Sequence, residues 1–257
     1  MTADRVARKA LDRAMEEKED LLLVYQPIHD ARSREIVAAE ALLRQRRQTG
    51  EIREASIITK TAERGPELFE LNSMTVRKAF TDAGQWMKKR PEVRLNLNLS
   101  PREFQEKNIV ARLEGLVSDC RVDIESVNLE ITETSYITNP EETVKVLNDL
   151  KELGLQLWLD DFGTGHSSLA HLQYFPLDGL KLPGEFIANL PGEARCAAIT
   201  RALIALAHDL DLEVIAEGVE TEDQLQFLLS HKCDSIQGFL FSKPMPLEEF
   251  EGMLGRN

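Results

Sequence analysis

The amino-acid sequence predicts an α/β fold, a TIM-like (β/α)8 barrel with one antiparallel strand near the N-terminus. Strand-like and helix-like stretches alternate along the chain, and eight strands interleaved with helices favour a closed barrel over an open sheet. Polar side chains also recur where these strands end, which is typical of barrels whose rim carries a functional site. A length of 257 residues with 42% apolar residues suits one such domain with a sizeable core.

The eight strand-like stretches are short and are bounded by turn residues. They are Leu22–Pro27, Ile36–Leu43, Val93–Leu99, Ser126–Ile131, Gln156–Asp160, Gly179–Leu182, Glu213–Ala216 and Ser235–Gln237. Apolar residues at helical spacing predict amphipathic helices over Leu71–Lys88, Glu141–Leu153, Cys196–Leu210 and Glu222–Leu229. The turn at Asp30–Ser33 between the first two strands is too short for a parallel crossover, so this pair is predicted to be antiparallel.

The chain divides into two predicted parts. Residues 1–20 are polar and charged, which predicts an N-terminal helix or linker, and residues 21–257 form the barrel. We expect a cytoplasmic protein without a membrane segment, because no apolar run approaches the ~18 residues of a membrane span and the N-terminus lacks a secretory signal. Cys120, Cys196 and Cys233 have neither zinc-ligand nor disulfide spacing, so buried reduced thiols are the simplest interpretation.

The formal net charge of −13 bears on the class of partner. It disfavours nucleic acid polymers and anionic membranes, since the overall field of the protein repels them. A small phosphate ligand is not excluded, because divalent ions and one or two basic side chains can hold it locally. Ligands for such ions would themselves add to the surplus of acid.

Polar residues follow the predicted strand ends closely. Six strands carry a carboxylate, amide or amine at or near their carboxyl end, and Gln237 ends the eighth strand. The six sets are Glu40, Asn98, Glu130, Asp160 with Asp161, Lys181 and Glu217. In a barrel these ends converge on one rim. Side-chain alternation also places Glu40 and Arg44 on one face of their strand, and Asn96 and Asn98 on one face of theirs.

This set of acids predicts a metal site. Asp160 and Asp161 are adjacent, and we expect Gly163 and Gly165 to turn the chain so that both carboxylates approach one point. A cluster of oxygen ligands without Cys or His selects Mg²⁺ or Mn²⁺ over zinc. Two such ions about 3.5–4 Å apart would clamp an in-line phosphodiester displacement and activate a water. For any single acid, a solvated loop residue or a helix N-cap is an equally good interpretation, so the prediction depends on the set.

Eight short segments carry a combined pattern that is far more specific than any one of them. They are Tyr25-Gln26-Pro27-Ile28, Glu40-Ala41-Leu42-Leu43-Arg44, Asn98-Leu99-Ser100-Pro101, Glu130-Ile131-Thr132-Glu133, Asp160-Asp161-Phe162-Gly163-Thr164-Gly165, Lys181, Ala216-Glu217-Gly218-Val219-Glu220-Thr221 and Gln237-Gly238. Together, over roughly residues 20–250, they resemble the EAL-domain cyclic di-GMP phosphodiesterases. The resemblance implies hydrolysis of cyclic di-GMP to linear pGpG by a water that two Mg²⁺ or Mn²⁺ ions activate.

The resemblance also implies roles for individual residues. One metal would be held by Glu40, Asn98, Glu130 and Asp160, and a second would be shared by Asp160, Asp161 and Glu217. Lys181 would orient the attacking water or stabilise developing charge, with Glu217 and Glu40 as further catalytic residues. Three residues would bind the substrate, namely Arg44, Gln26 and Gln237.

The family also implies an arrangement beyond the metal site. Glu133 and Glu220 would support the loop Phe162–Leu169, which in this family links the metal site to a homodimer interface. A homodimer is therefore expected. Sensory or cyclase domains could lie outside this chain.

Three positions depart from the usual pattern of the family. Pro183 stands where the family usually has Asp two residues after the lysine, which removes a carboxylate and stiffens the backbone. Glu185 is close enough in sequence to replace it, although an ordinary surface glutamate is the simpler interpretation. His166 replaces a usual Tyr, and Ile57-Ile58-Thr59-Lys60 replaces a usual Phe-Ile-Pro-Leu, which alters the expected contacts to guanine rather than the chemistry.

Two other functions stay open at this point. The lost acid at Pro183 motivates a catalytically weak receptor that binds cyclic di-GMP and signals through its dimer interface. A barrel enzyme that acts on another phosphodiester, or on an unrelated metal-dependent substrate, is the third interpretation. The complete set of metal-ligand positions favours the active phosphodiesterase.

Overall fold

The computed structural model describes residues 21–46, 49–55, 58–59, 62, 65, 67–120, 122–132, 140–163 and 172–255. Several sequence predictions fall outside these ranges: the helix or linker of residues 1–20, Glu133, His166 and most of the loop Phe162–Leu169. The predicted strands and all the predicted metal ligands lie within them.

The described residues form nine strands. These are β1 (Leu21–Asp30), β2 (Ile36–Arg46), β3 (Ile52–Glu54), β4 (Arg94–Leu99), β5 (Val127–Thr132), β6 (Gln156–Asp160), β7 (Gly179–Leu182), β8 (Glu213–Ala216) and β9 (Ser235–Ile236). All except β3 close into a ring, in which β9 and β2 both pair with β1. Within the ring β1 is antiparallel to both neighbours and every other pair is parallel. The predicted barrel with one reversed strand is confirmed.

Strand β3 is the one strand that the sequence did not predict. It pairs only with β2, outside the ring. Its three residues are all exposed, so no alternation of buried and exposed positions marks it.

Helices cover the outside of the ring and follow most of the strands. The sequence predicted four of them, namely α1 (Glu67–Trp86), α4 (Pro140–Glu152), α6 (Ala194–Asp209) and α7 (Glu222–Ser230). It did not predict α2 (Pro101–Phe104), α3 (Ile109–Cys120), α5 (Gly184–Ile187) or α8 (Leu247–Leu254). Among the described helices, none combines the length and the apolar character that crossing a bilayer requires.

The barrel interior has a small apolar layer that separates the two ends. Ile28, Ala38, Trp158 and Ile215 form it, and Trp158 is only 3% exposed. A Cβ at Gly179, on the neighbouring strand, would lie 2.5 Å from the indole of Trp158, so only glycine leaves room for this ring. The interior is therefore a packed core rather than a pore, as in other barrels of this kind.

A buried tyrosine ties β1 to α1 and to the C-terminal segment. The hydroxyl of Tyr25 donates to Asp82 Oδ2 at 2.6 Å, and its ring packs edge-on against Trp86 and stacks on Phe250 at an interplanar angle of 30°. Its backbone exchanges two hydrogen bonds with Met245, at 2.7 and 3.0 Å. Burial and the adjacent Asp82 carboxylate raise the pKa of Tyr25 above its usual range. These contacts hold β1 in place, and the next residue on this strand, Gln26, lies at the mouth of the barrel.

Candidate active site

The carboxyl ends of the parallel strands bring the predicted polar residues together at one mouth of the barrel. The contributing positions are Glu40 on β2, Asn98 on β4, Glu130 on β5, Asp160 on β6, Lys181 on β7, Glu217 directly after β8 and Gln237 directly after β9. Register supports this convergence, because Asn98 lies opposite Glu130 on adjacent strands. The predicted polar side chains therefore lie together at one mouth of the barrel.

Lys181 lies at the centre of this cluster and is 1% exposed. Its Nζ lies 2.7 Å from Glu217 Oε1, 2.9 Å from Glu130 Oε2, 3.3 Å from Glu40 Oε2 and 3.6 Å from Asp160 Oδ1. Burial disfavours the charged amine, but the surrounding carboxylates outweigh it and hold the pKa of Lys181 well above its usual range. The side chain is therefore a fixed ammonium among four acids.

Two amides orient Glu40. Asn98 Nδ2 donates to Glu40 Oε1 at 2.6 Å, and Gln237 Nε2 donates to Glu40 Oε2 at 2.7 Å. Gln237 Nε2 also donates to Gln26 Oε1 at 3.3 Å. Burial favours the neutral acid at Glu40, but the Lys181 ammonium and these amides outweigh it, so the pKa of Glu40 lies below its ordinary value. Glu40 is thus an ionised carboxylate that is held in one orientation.

Glu130 has the opposite electrostatic balance. Asn96 Nδ2 donates to its Oε1 at 2.6 Å, and Lys181 donates to its Oε2. Burial, together with the charges of Glu40 and Asp160, outweighs the Lys181 ammonium and raises the pKa of Glu130 well above its usual range. The cluster therefore contains more negative charge than one lysine neutralises.

The carboxylates of Asp160, Asp161 and Glu217 form a triad whose ligand oxygens all lie within 4.8 Å of one another. The sequence attributed the turn here to Gly163 and Gly165. In the structure Asp161 itself has a left-handed backbone, with φ of 54°, and Gly163 follows with φ of 89°. Asp tolerates this region better than most residues, and strained backbone of this kind clusters at functional sites. Because of this turn, two adjacent acids approach one point.

The triad is also short of positive charge. Burial, followed by the Asp160 carboxylate, raises the pKa of Asp161. Burial is also the main cause that raises the pKa of Glu217 to about 7. An acid whose pKa is raised by neighbouring acids is a favourable partner for a cation.

The donor set fits hard divalent cations. Four carboxylates surround the Lys181 ammonium, and a fifth, Asp161, lies beside two of them. All five offer oxygen, which Mg²⁺ and Mn²⁺ prefer. Gln237 Oε1 adds a buried acceptor with no partner in the described part of the chain. A buried oxygen of this kind is free to accept from a water or from a bound molecule.

Two cavities adjoin the cluster. One, of about 310 Å³, lies over Lys181 and is lined by Gln26, Gln237 and Phe239. The other, of about 340 Å³, extends past Asn98 to Arg44. Leu42 lines both cavities, and Asn98 in the second donates to Glu40 in the first. The three predicted substrate residues therefore line two neighbouring cavities, Gln26 and Gln237 the first and Arg44 the second.

Two residues that line these cavities and were not predicted from the sequence can contribute to binding. Phe239 is 54% exposed at the rim, with the Lys243 ammonium 5.3 Å from its ring centroid. Asn72, on α1, lines the cavity beside Arg44. Phe239 could have been found because it directly follows Gln237-Gly238, whereas nothing near Asn72 in sequence marks it.

The remaining predicted positions lie around the cluster. Glu220 is exposed and borders the cavity over Lys181, and the loop that it would support lies mostly outside the described ranges, as does Glu133. Pro183 is buried and forms the N-cap of α5 without a side-chain hydrogen bond. Glu185 is exposed, yet its charge contributes to the raised pKa of Asp161.

Comparison with known proteins decides the family. The sequence profile of the EAL domain matches residues 8–244. The chain belongs to the EAL domain family. It is similar to the signaling protein YkoW of Bacillus subtilis, with 34% identity over 98% of this chain and 31% of that protein. It is also similar to the cyclic di-GMP phosphodiesterase NbdA of Pseudomonas aeruginosa, with 35% identity over 92% of this chain and 30% of that protein.

Solved structures of EAL proteins have the same architecture. The PaMucR phosphodiesterase in complex with c-di-GMP superposes with a TM-score of 0.90 and 30% identity, covering 95% of this chain and 99% of that one. This EAL chain spans about a third of the length of the curated relatives above. The TIM-like barrel of the family is thus confirmed here.

Proposed function

We propose that this EAL domain hydrolyses cyclic di-GMP to linear pGpG with two divalent cations, Mg²⁺ or Mn²⁺. The observation that carries the proposal is the carboxylate triad of Asp160, Asp161 and Glu217 beside the acids around Lys181. Relatives named as cyclic di-GMP phosphodiesterases support the choice of substrate. The two neighbouring cavities, one lined by Phe239 and the other by Arg44, provide a surface for an extended dinucleotide.

The residues of the cluster would hold the two cations in two overlapping sets. One cation would be held by Glu40, Asn98, Glu130 and Asp160, and a second by Asp160, Asp161 and Glu217. Two divalent ions, when bound, stabilise the charge on the attacking and leaving oxygens of an in-line displacement. In the overall reaction a water oxygen bonds to phosphorus, one bridging P–O bond breaks, and the water proton reaches the released 3′ oxygen.

The charged and amide side chains supply the rest. The Lys181 ammonium, which the acids keep protonated, stabilises negative charge that develops on the phosphate oxygens. Arg44 would bind a phosphate oxygen from the cavity that extends past Asn98. Gln26 and Gln237 would hold the substrate above Glu40, and the free Oε1 of Gln237 can accept from a guanine N–H.

The test compares two glutamates associated with the same strand. Glu217→Gln removes a triad carboxylate, and we expect at least about a 100-fold loss of pGpG formation with Mn²⁺, read by chromatography. Glu213→Gln is the matched control, because Glu213 begins β8 at the opposite end of the barrel; its rate should stay within about twofold of wild type. Wild-type protein that yields no pGpG at saturating Mn²⁺ would refute the proposal.

A second candidate, a receptor with weak turnover, is favoured by one observation. At Pro183 a buried proline without a polar side chain stands next to the cluster. If the receptor interpretation is correct, the wild-type domain binds cyclic di-GMP tightly with little turnover, and Pro183→Asp raises the rate. An unchanged rate in Pro183→Asp removes the motive for it.

We propose a homodimer on the basis of the family resemblance, and light scattering after size exclusion tests it; a monomer at all concentrations contradicts it. The free thiols of Cys120, Cys196 and Cys233 support a reducing, cytoplasmic location.

A further inference from the structure

We infer that Asn96 and Asn128 are positioning residues, which fix the carboxylate of Glu130 through a chain of hydrogen bonds that begins at Arg94. The inference rests on the proposed function, since it gives these amides a part in building the proposed metal site. The family resemblance assigns no role to either amide.

This series of hydrogen bonds runs along the inside of the barrel, from the end opposite the active site to Glu130. Arg94 Nη1 donates to Asn128 Oδ1 at 3.4 Å, and the same nitrogen donates to the Glu125 carbonyl at 3.3 Å. Asn128 Nδ2 donates to Asn96 Oδ1 at 2.9 Å, and Asn96 Nδ2 donates to Glu130 Oε1 at 2.6 Å. The two amides are 2% and 0% exposed, so water does not compete for these bonds.

Only one orientation of the two amides gives every group in this series of hydrogen bonds a partner. A guanidinium has donors and no acceptor, so the oxygen of Asn128 must face Arg94 and its NH₂ group must face Asn96. Asn96 then presents its oxygen to Asn128 and its NH₂ group to Glu130. Because each amide is fixed by the one before it, the arginine determines that Glu130 meets a donor.

The consequence for the site is a fixed carboxylate. With Oε1 held by Asn96, Oε2 of Glu130 faces Lys181 at 2.9 Å, on the side of the other acids. Outer hydrogen bonds of this kind orient metal-binding carboxylates, and their loss typically weakens metal binding about 10–100-fold. We therefore assign the two amides to the support of the Glu130 ligand.

The test uses one isosteric substitution that removes a donor from this series of hydrogen bonds. In Asn128→Asp the new carboxylate still accepts from Arg94 but cannot donate to Asn96. Asn96 must then either face an acceptor or flip its amide, and a flip turns Oδ1 against Glu130. We expect the affinity for Mn²⁺ alone, measured by titration calorimetry, to fall about tenfold or more.

Gln156→Glu is the matched control. Gln156 lies directly opposite Asn128 on the next strand, so this change adds the same charge at the same level of the barrel without entering the chain. Added negative charge by itself attracts a cation, so the control should bind Mn²⁺ as well as or better than wild type. Mn²⁺ binding by folded Asn128→Asp that matches the control overturns the inference.

Two further measurements complete the design. If Asn128→Asp does not fold, Asn96→Ala removes the donor to Glu130 directly, and unchanged Mn²⁺ affinity in that variant overturns the inference. A wild-type domain that binds Mn²⁺ but yields no pGpG refutes the proposed hydrolysis and leaves the affinity comparison decisive. A wild-type domain without Mn²⁺ binding overturns the inference itself.

Discussion

Gly238 sets the distance between two segments that carry active-site residues. A Cβ at this position would lie 2.1 Å from the carbonyl oxygen of Val219 and 2.3 Å from its nitrogen. Ordinary contact begins near 3.4 Å, so Gly238→Ala must separate the two backbones by about 1.3 Å. This shift acts on Gln237 on one side and on the segment after Glu217 on the other.

The expected cost follows from the bonds that this separation disrupts. Val219 N donates to the Gln237 carbonyl at 3.1 Å, and Leu240 N donates to the Val219 carbonyl at 3.0 Å. Two backbone hydrogen bonds at about 1 kcal/mol each, plus about 1–3 kcal/mol for the steric overlap, give a loss of about 3–5 kcal/mol. For a domain of this size that lowers Tm by roughly 6–20 °C.

The assay measures thermal unfolding together with pGpG formation. Because a misplacement of about 1 Å at a reacting centre can reduce rates about 100-fold, we expect activity to fall even at temperatures where Gly238→Ala is folded. Gly84→Ala is the control, since Gly84 lies in α1 with no atom within 4 Å of an added Cβ. It should be stabilised by up to about 1 kcal/mol. A Gly238→Ala domain with wild-type Tm refutes the reasoning.

Three further outcomes are expected elsewhere in the barrel. Tyr25→Phe removes a buried hydrogen bond to the Asp82 carboxylate. Because hydrogen bonds to charged groups contribute about 1.5–3 kcal/mol, the free energy of unfolding measured in urea should fall by that amount. A loss below about 0.5 kcal/mol would show that Asp82 is satisfied without this bond. Burial lowers the pKa of His29 below 6.5, so folding disfavours its protonated form, and the stability it confers is present above pH 6.5 and is lost as the pH falls below it. His29→Gln should therefore lose less stability between pH 7.5 and 5.5 than wild type, by up to about 1.4 kcal/mol per pH unit below 6.5, and parallel curves would contradict this. Burial also raises the pKa of Cys233 to about 12, so iodoacetamide should label Cys120 in the folded domain and leave Cys233 unmodified by mass spectrometry; rapid labelling of Cys233 would contradict its burial.

Sequence reasoning located the barrel because its strands are buried and carry strong periodic signals. The eight ring strands were all found, with boundaries within a few residues, and so was the reversed direction of β1. It missed β3, whose three exposed residues have no apolar pattern, and α2 and α5, whose four residues each are too few to show a helical period. Tertiary context rather than local pattern determines these elements.

The candidate site was predictable in its composition but not in its geometry. Polar residues at strand ends indicated which side chains would meet, and they do meet around Lys181. The central place of the ammonium could not be derived, because it depends on the depth of each strand in the barrel. The turn after β6 was attributed to the following glycines, because glycine adopts a left-handed backbone more readily than Asp, whereas Asp161 itself has φ of 54°. The role of Asn96 and Asn128 could not be predicted, because it depends on the strand register that places the two side by side.

The indole that fills the barrel interior gives the domain its own optical reporter. Trp158 lies opposite Glu130 in strand register, and its N–H has no partner among the described atoms. The chain has one other tryptophan, Trp86, which ends α1 on the outside of the ring. It donates a hydrogen bond to the Val93 carbonyl at 3.1 Å. In a Trp86→Phe protein, fluorescence would therefore come from a single ring directly beneath the acids. Since nearby charge shifts indole emission, its colour would register neutralisation of those acids without any label.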